Sequence, residues 1–343
     1  GYQRAARRLE DWQRQGVLEP DPPRLYLYRM AFVDAGGRTR VTTGVVGALA
    51  LSPPGEGDVL PHERTMPKPR GDRLELLRAT RANLDPVWML SMAPGLSDLL
   101  AGTEITAAGA GCIDADGVEH CLVPLPDDLA TRVSEMVGSA PVVIADGHHR
   151  YETAMAFAQD NPGAGKIMAL VVELVPDQLW VRPIHRLLIG AGPDLQGRLG
   201  EVAVVTPAGP ETPEGLRALL ARMDEEGVLG LVDGDGLALL SLRLDVLGPD
   251  LERLPAPLRA VDSARLEVAL GRLSIPEELD FHADPATVAA EVAKGTADAG
   301  VLLRAVSVEQ IQAVAAAGER MPEKTTYFSP KPLTGMVFRA VDS

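Results

Sequence analysis

The chain has 343 residues, 46% of them hydrophobic and 24% charged, enough apolar material for about two domains of ~150 residues each. With 33 Lys and Arg against 48 Asp and Glu it carries a net charge of -15, so most of its surface repels polyanions and nucleic acid is not an expected partner. No run reaches the ~18 apolar residues of a membrane-spanning helix and no basic-then-apolar leader opens the chain, so the expected setting is cytoplasmic, away from membranes. Cys112 and Cys121 fit neither a zinc knuckle nor a redox pair.

The chain begins at Gly1 inside an apolar period (Tyr2, Ala5, Ala6, Leu9, Trp12). Residues 2–15 are therefore expected to be helical, and an N-terminal piece of the natural protein is expected to be missing. Strands follow at 25–33 and 39–51, joined by a glycine-containing hairpin turn. A Pro/Gly-rich loop at 52–58 leads into residues 59–70, where three prolines and no apolar period predict ordered but non-regular chain that carries function. A helix is expected at 72–83, a short strand at 86–90, weak patterning over 91–126 with a hairpin at 114–117, and a helix at 127–138. Strands at 141–145 and 167–174 enclose the motif treated below, and residues 181–188 continue from them.

A composition shift divides the chain near residue 190. The expectation is an α+β protein with a catalytic domain at 1–190 and a second α+β domain at 191–343. In the latter, helices are read at 211–226, 263–273 and 308–317, a strand at 301–304, and a hairpin at Asp233-Gly234-Asp235-Gly236. That turn lacks the later ligands of a calcium loop and has apolar strands on both sides. The end of the chain, 319–331, is Pro-rich and basic, and is expected to return toward the site of the first domain.

The most informative stretch runs from Pro141 to Ala156. Four apolar residues lead into Asp146 and Gly147, and then Tyr151, Ala154, Met155 and Ala158 fall at helical spacing, which predicts a strand, a tight turn and a helix start. Gly147 lets the backbone approach a ligand, and the first amides of the helix favour an anion, phosphate above all. Arg150 adds a planar fork of donors suited to phosphate, and His148 and His149 add groups that titrate near neutrality. The plainer alternative makes Asp146 a helix cap, Arg150 a solvated charge and one histidine a core residue.

Three segments together resemble the bacterial domain of unknown function 1015 family: Pro61-His62-Glu63-Arg64-Thr65 with Arg81-Ala82-Asn83-Leu84, Ala145 to Ala154, and Gly318 to Lys331. That family usually opens with a Pro-Pro-Tyr-Asp signature, which this sequence lacks. More distantly, Gly147-His148-His149-Arg150 resembles the Gly-x-x-Arg phosphate turn of the ParB and sulfiredoxin superfamily, which includes the free serine kinases. Those kinases are similar also in a Pro-His-Glu segment whose glutamate activates the substrate hydroxyl, which makes Glu63 the implied base. Sulfiredoxin chemistry needs a cysteine where this chain has His148, and the basic helix-turn-helix of partition proteins is absent.

The resemblance implies a ParB/sulfiredoxin-like mixed-sheet domain and phosphoryl transfer to a small-molecule hydroxyl, free L-serine first, from ATP, ADP or pyrophosphate. The roles follow from what such transfer needs, namely positioning and charge neutralisation. Gly147 and the amides after it would cradle phosphate, with Arg150 and His148 or His149 neutralising charge and Glu63 taking the proton. Asp146 would hold magnesium directly or through water. His62, Arg64, Lys324 and Lys331 complete the expected substrate and phosphate contacts, and a homodimer is allowed for. His62 and His185 read equally well as core histidines. The other classes left open are a metal-dependent hydrolase built on His62, Glu63, Asp146, His148 and His149, and a non-catalytic nucleotide or amino-acid sensor.

Overall fold

Gly37 turns the chain at φ +76°, a conformation open to glycine, and its amide donates to the Asp34 carbonyl at 2.9 Å. Around this turn the strands Tyr26–Val33 and Thr39–Ala50 pair antiparallel, from Val33 opposite Thr39 to Tyr26 opposite Val46. The computed structural model describes residues 1–34, 36–53, 57–64, 71–103, 109–192, 194–273, 275 and 278–341. Thr65 to Arg70, the later part of the Pro-rich segment, lie outside them.

Two compact units are present: Gly1–Trp180 together with the segment from Pro330 onward, and Val181–Ser329. The first break falls ten residues before the composition shift, and the basic tail is divided after Ser329.

Among the described residues the first unit holds an eight-stranded sheet in the order Val59–Pro61, Val142–Asp146, Val87–Ser91, Lys166–Glu173, Thr39–Ala50, Tyr26–Val33, Glu119–Pro124, Ala110–Ile113. Its first two strands run parallel, as do the third and fourth, and the remaining pairs are antiparallel, so the sheet is mixed. Val142 to Ala145 are all buried, as expected of a strand covered on both faces. One face packs Val45, Met89, Val142, Ile144 and Val171 against Leu96, Val133 and Tyr151 from three helices. The tail closes this unit: Arg339 and Ala340 pair with Asn83 and Ala82, and the Val341 amide donates to the Arg81 carbonyl at 3.0 Å.

The second unit is built on an antiparallel six-stranded sheet, ordered Ala203–Gly209, Gly236–Leu242, Leu229–Asp233, Ala299–Leu302, His185–Ile189, Glu278–His282. Strand alternation sends Leu188, Leu231 and Leu240 to one core and Leu187, Val232 and Leu239 to another, so helices cover both faces. The Asp233 to Gly236 turn is a hairpin, with Asp233 opposite Gly236 and Gly236 at φ +117°. The protein is therefore α+β in both units, and no helix among the described residues is long and apolar enough to cross a membrane.

Several elements differ from the periodicity reading. Residues 91–126 hold the helix Leu96–Ala101 and the strands Ala110–Ile113 and Glu119–Pro124. The helix is under two turns long and the strand at 110–113 is exposed throughout, so neither leaves an apolar period. The helix Leu195–Val202 and the edge strands Ala203–Gly209 and Glu278–His282 were likewise unmarked, as was the helix Leu244–Leu251, which contains Pro249.

Candidate functional site

The strand Val142–Asp146 stops at Gly147, whose φ of 96° and ψ of 24° turn the chain directly into the helix His148–Asp160. A Cβ on Gly147 would lie 2.9 Å from Arg150 Nε and 3.0 Å from a terminal guanidinium nitrogen. Glycine is therefore required twice, by the left-handed backbone and by the side chain folded across it. Arg150 donates to Asp146 Oδ2 at 2.6 Å and to the Pro86 carbonyl at 2.5 Å. The other carboxylate oxygen accepts from Lys331 Nζ at 2.6 Å.

Asp146 is thus the hub of a three-membered ion cluster beside a helix N-terminus. The side chains of Arg150, Asp146 and Lys331 remain 24%, 32% and 36% exposed, so an incoming anion can reach the charges. Burial pushes the Asp146 carboxyl up, but the Lys331 ammonium, then Arg150 and His148, outweigh it and hold it below the usual carboxylate range.

The second strand of the site arrives by register. Val59, Leu60 and Pro61 pair in parallel with Val142, Val143 and Ile144, which delivers His62 and Glu63 beside the end of the central strand. His62 is buried, and its Nδ1 donates to the Ile144 carbonyl. That bond fixes the tautomer, leaving Nε2 as the acceptor nitrogen of a neutral ring. Burial is the main force pushing this imidazole below its ordinary range, against Glu63, the Ile144 carbonyl and Asp146. Nε2 lies 3.8 Å from Glu63 Oε2, and the His62 and His148 rings are 5.3 Å apart, tilted by 33°.

His62, Glu63, Asp146, Gly147, His148, Arg150 and Lys331 are accordingly gathered in the first unit. His149 turns to Glu152, with Nδ1 3.5 Å from Oε2, and Arg64 is exposed. Lys324 belongs to the second unit, at φ +56°, where its carbonyl accepts from Arg186 at 3.0 Å. Sequence reasoning missed the Pro86 carbonyl that orients Arg150, since a main-chain acceptor leaves no residue-type signal.

A magnesium site at Asp146 is not shown. Both Asp146 oxygens already accept from cations, and among the described residues no group of three or more His, Cys, Asp and Glu could hold a metal ion. The same finding removes the support for a hydrolase metal centre built on His62, Glu63, Asp146, His148 and His149.

Residues 1–262 match the family model described as protein of unknown function, DUF1015, and the chain belongs to that family. The match ends before the segment that carries Lys331. No curated protein matches the chain. Several solved structures are similar to it at low identity. SbnI with a C-terminal truncation, from Staphylococcus aureus, is 14% identical over 84% of this chain and 85% of that one, with a TM-score of 0.45. A conserved hypothetical protein from Pyrococcus furiosus is 16% identical over 85% and 92%, at 0.41. A free serine kinase in complex with AMP is 16% identical over 85% and 90%, at 0.42.

Proposed function

We propose that this protein is a phosphotransferase that moves a phosphoryl group from ATP, ADP or pyrophosphate to the hydroxyl of a small molecule, with free L-serine as the acceptor. The observation that carries the reading is the Asp146–Arg150–Lys331 cluster set on the Gly147 turn at a helix N-terminus. An anion entering there meets helix amides and two cations that share one carboxylate. Exchanging that carboxylate for phosphate oxygens keeps both cations paired and leaves Asp146, 32% exposed, to be taken up by solvent.

Glu63 is assigned as the base that takes the hydroxyl proton. It lies beside a histidine kept neutral by burial, so His62 adds no positive charge that would hold the glutamate back from accepting a proton. His148, whose ring lies 5.3 Å from that of His62, is assigned to the charge that develops on the transferring group. His62 orients these groups from below through its bond to Ile144. No step is routed through a metal.

The test is incubation of the purified protein with L-serine and each of ATP, ADP and pyrophosphate, read by formation of O-phosphoserine. Formation with at least one donor supports the reading. Donor binding without turnover on serine or on other hydroxyl acceptors would leave a sensor in its place.

A further inference from the structure

Away from the turn, the first unit holds a buried polar chain that the phosphate site does not use. His120, fully buried on the strand Glu119–Pro124, sits between two partners: its Nε2 is 3.0 Å from Asp114 Oδ2 and its Nδ1 is 2.8 Å from the Tyr28 hydroxyl. The Tyr28 oxygen in turn accepts from the Leu333 amide at 2.9 Å. Leu333 stands two residues after Lys331.

Proton positions along this chain follow from its anchored end. Asp114 Oδ1 accepts from the amides of Asp116 and Val118, each at 2.9 Å, and the hydrogen bond from His120, ahead of these amides, holds the Asp114 carboxyl below its usual range. An ionised Asp114 demands the proton on His120 Nε2, which leaves Nδ1 as an acceptor. Tyr28 must then donate to His120, and its oxygen is left to receive Leu333 N–H. Burial, the largest influence on Tyr28, pushes its hydroxyl up to about 12, so it stays protonated and able to donate.

From this geometry we propose that Asp114, His120 and Tyr28 form a hydrogen-bonded relay that positions the Lys331 ammonium at Asp146. The slack between the anchor and the Lys331 backbone is small, since two residues of extended chain span at most about 7 Å. Pro330 and Pro332 also fix their own φ and hold the residue before each one extended. A second tie runs in parallel, with the Thr334 hydroxyl donating to Asp85, the neighbour of the Pro86 whose carbonyl holds Arg150. Buried hydrogen-bonded groups in series strengthen one another, and every bond of this relay is directed at one amide of the tail. These are positioning residues, since none touches the Asp146 cluster.

The proposal deepens the phosphate-site reading, and the experiment separates the two. In labelled full-length protein, an ordered, ion-paired lysine ammonium gives a slowly exchanging 1H–15N signal, and the Lys331 signal is identified by its loss in Lys331→Met. Tyr28→Phe keeps the ring and removes the hydroxyl, and it is expected to abolish that signal while the folded spectrum of the strands persists. Should Tyr28→Phe fail to fold, Asp114→Asn serves instead. Its amide forces the opposite tautomer on His120, so that Nδ1–H and the Leu333 amide compete for the Tyr28 oxygen while the Tyr28 hydrogen loses its acceptor, and the Lys331 signal is expected to weaken. With ADP as the probe, Tyr28→Phe is expected to weaken binding about tenfold, the scale of one charge-assisted bond. It is expected to have no further effect in a Lys331→Met background. A Lys331 signal unchanged in folded Tyr28→Phe, or absent from the wild-type protein, would overturn the relay. A signal lost as expected, with ADP affinity unaffected by Lys331→Met, would sustain the relay and count against the phosphate site.

Discussion

The two units contain similar polar residues in opposite states of commitment. In the second, Arg186 is 5% exposed and donates to the carbonyls of Ile184, Lys324 and Glu323 at 2.7, 3.0 and 3.1 Å, with Phe281 beneath it at 4.7 Å. Beside it, His185 Nδ1 accepts from the Leu303 amide at 3.1 Å. Carbonyls and amides of the fold cannot be handed over to a ligand, so those charges serve structure. In the first unit Arg150 and Lys331 share a carboxylate that is partly open to solvent beside a helix N-terminus, a pairing a phosphate can replace. What separates a site from a strut is whether the partner of a charge can be exchanged.

The sharpest break of this contrast is Glu63→Gln, which keeps size and removes proton acceptance. Turnover is expected to fall by ~10²- to 10⁴-fold with donor affinity nearly unchanged. Steady-state kinetics and calorimetry on one preparation check it, and near-normal turnover removes Glu63 as the base.

Gly147→Ala is expected to destabilise the first unit by about 1–3 kcal/mol, because it strains the left-handed turn, and to displace Arg150 as well. Urea denaturation and ADP titration should therefore both report it, whereas a silent turn would show neither change.

The structural role of His185 has a pH signature. Burial, then Arg186 and Arg182, lower its pKa from the ordinary 6.5 to about 4. Between those values the unfolded chain binds the proton and the folded one does not. The stabilising contribution is complete above about 6.5 and is lost as pH falls toward 4, amounting to about 2 kcal/mol between pH 7 and 5. His62, lowered in the same direction, adds to the trend. His185→Gln retains an acceptor for Leu303 and should flatten the pH dependence of the urea midpoint, and an unchanged slope would contradict the assignment. The smallest effect belongs to His149→Ala. Its 3.5 Å pairing with Glu152 is part-exposed, so melting should show a loss of less than about 1 kcal/mol, and a larger loss would mean that His149 has a structural role.

Much of the first unit was legible because its signals are local. A buried apolar run, an acid, a glycine and a helical period announced the turn at Gly147, and the glycine-containing turn announced the first hairpin. The partners that give the turn its chemistry were legible only in part. Lys331 stood out as a cation in an acidic chain, but Lys324, chosen on the same ground, uses its carbonyl inside the second unit. Pro86 acts through its backbone, and Tyr28, His120 and Asp114 meet by strand pairing across 92 residues of chain, a separation that periodicity does not encode. The edge strands Ala203–Gly209 and Glu278–His282 escaped notice for the related reason that an edge need not bury alternate residues.

The central claim is that the Gly147 turn with its shared carboxylate is a phosphate site, and calorimetric titration of ATP, ADP and pyrophosphate into wild-type and Arg150→Ala protein tests it most directly. The account predicts that at least one donor binds the wild type and binds Arg150→Ala about ten- to a hundredfold more weakly, with serine affinity unchanged. Equal donor affinity in the two proteins, or no binding of any donor to the wild type, would contradict it.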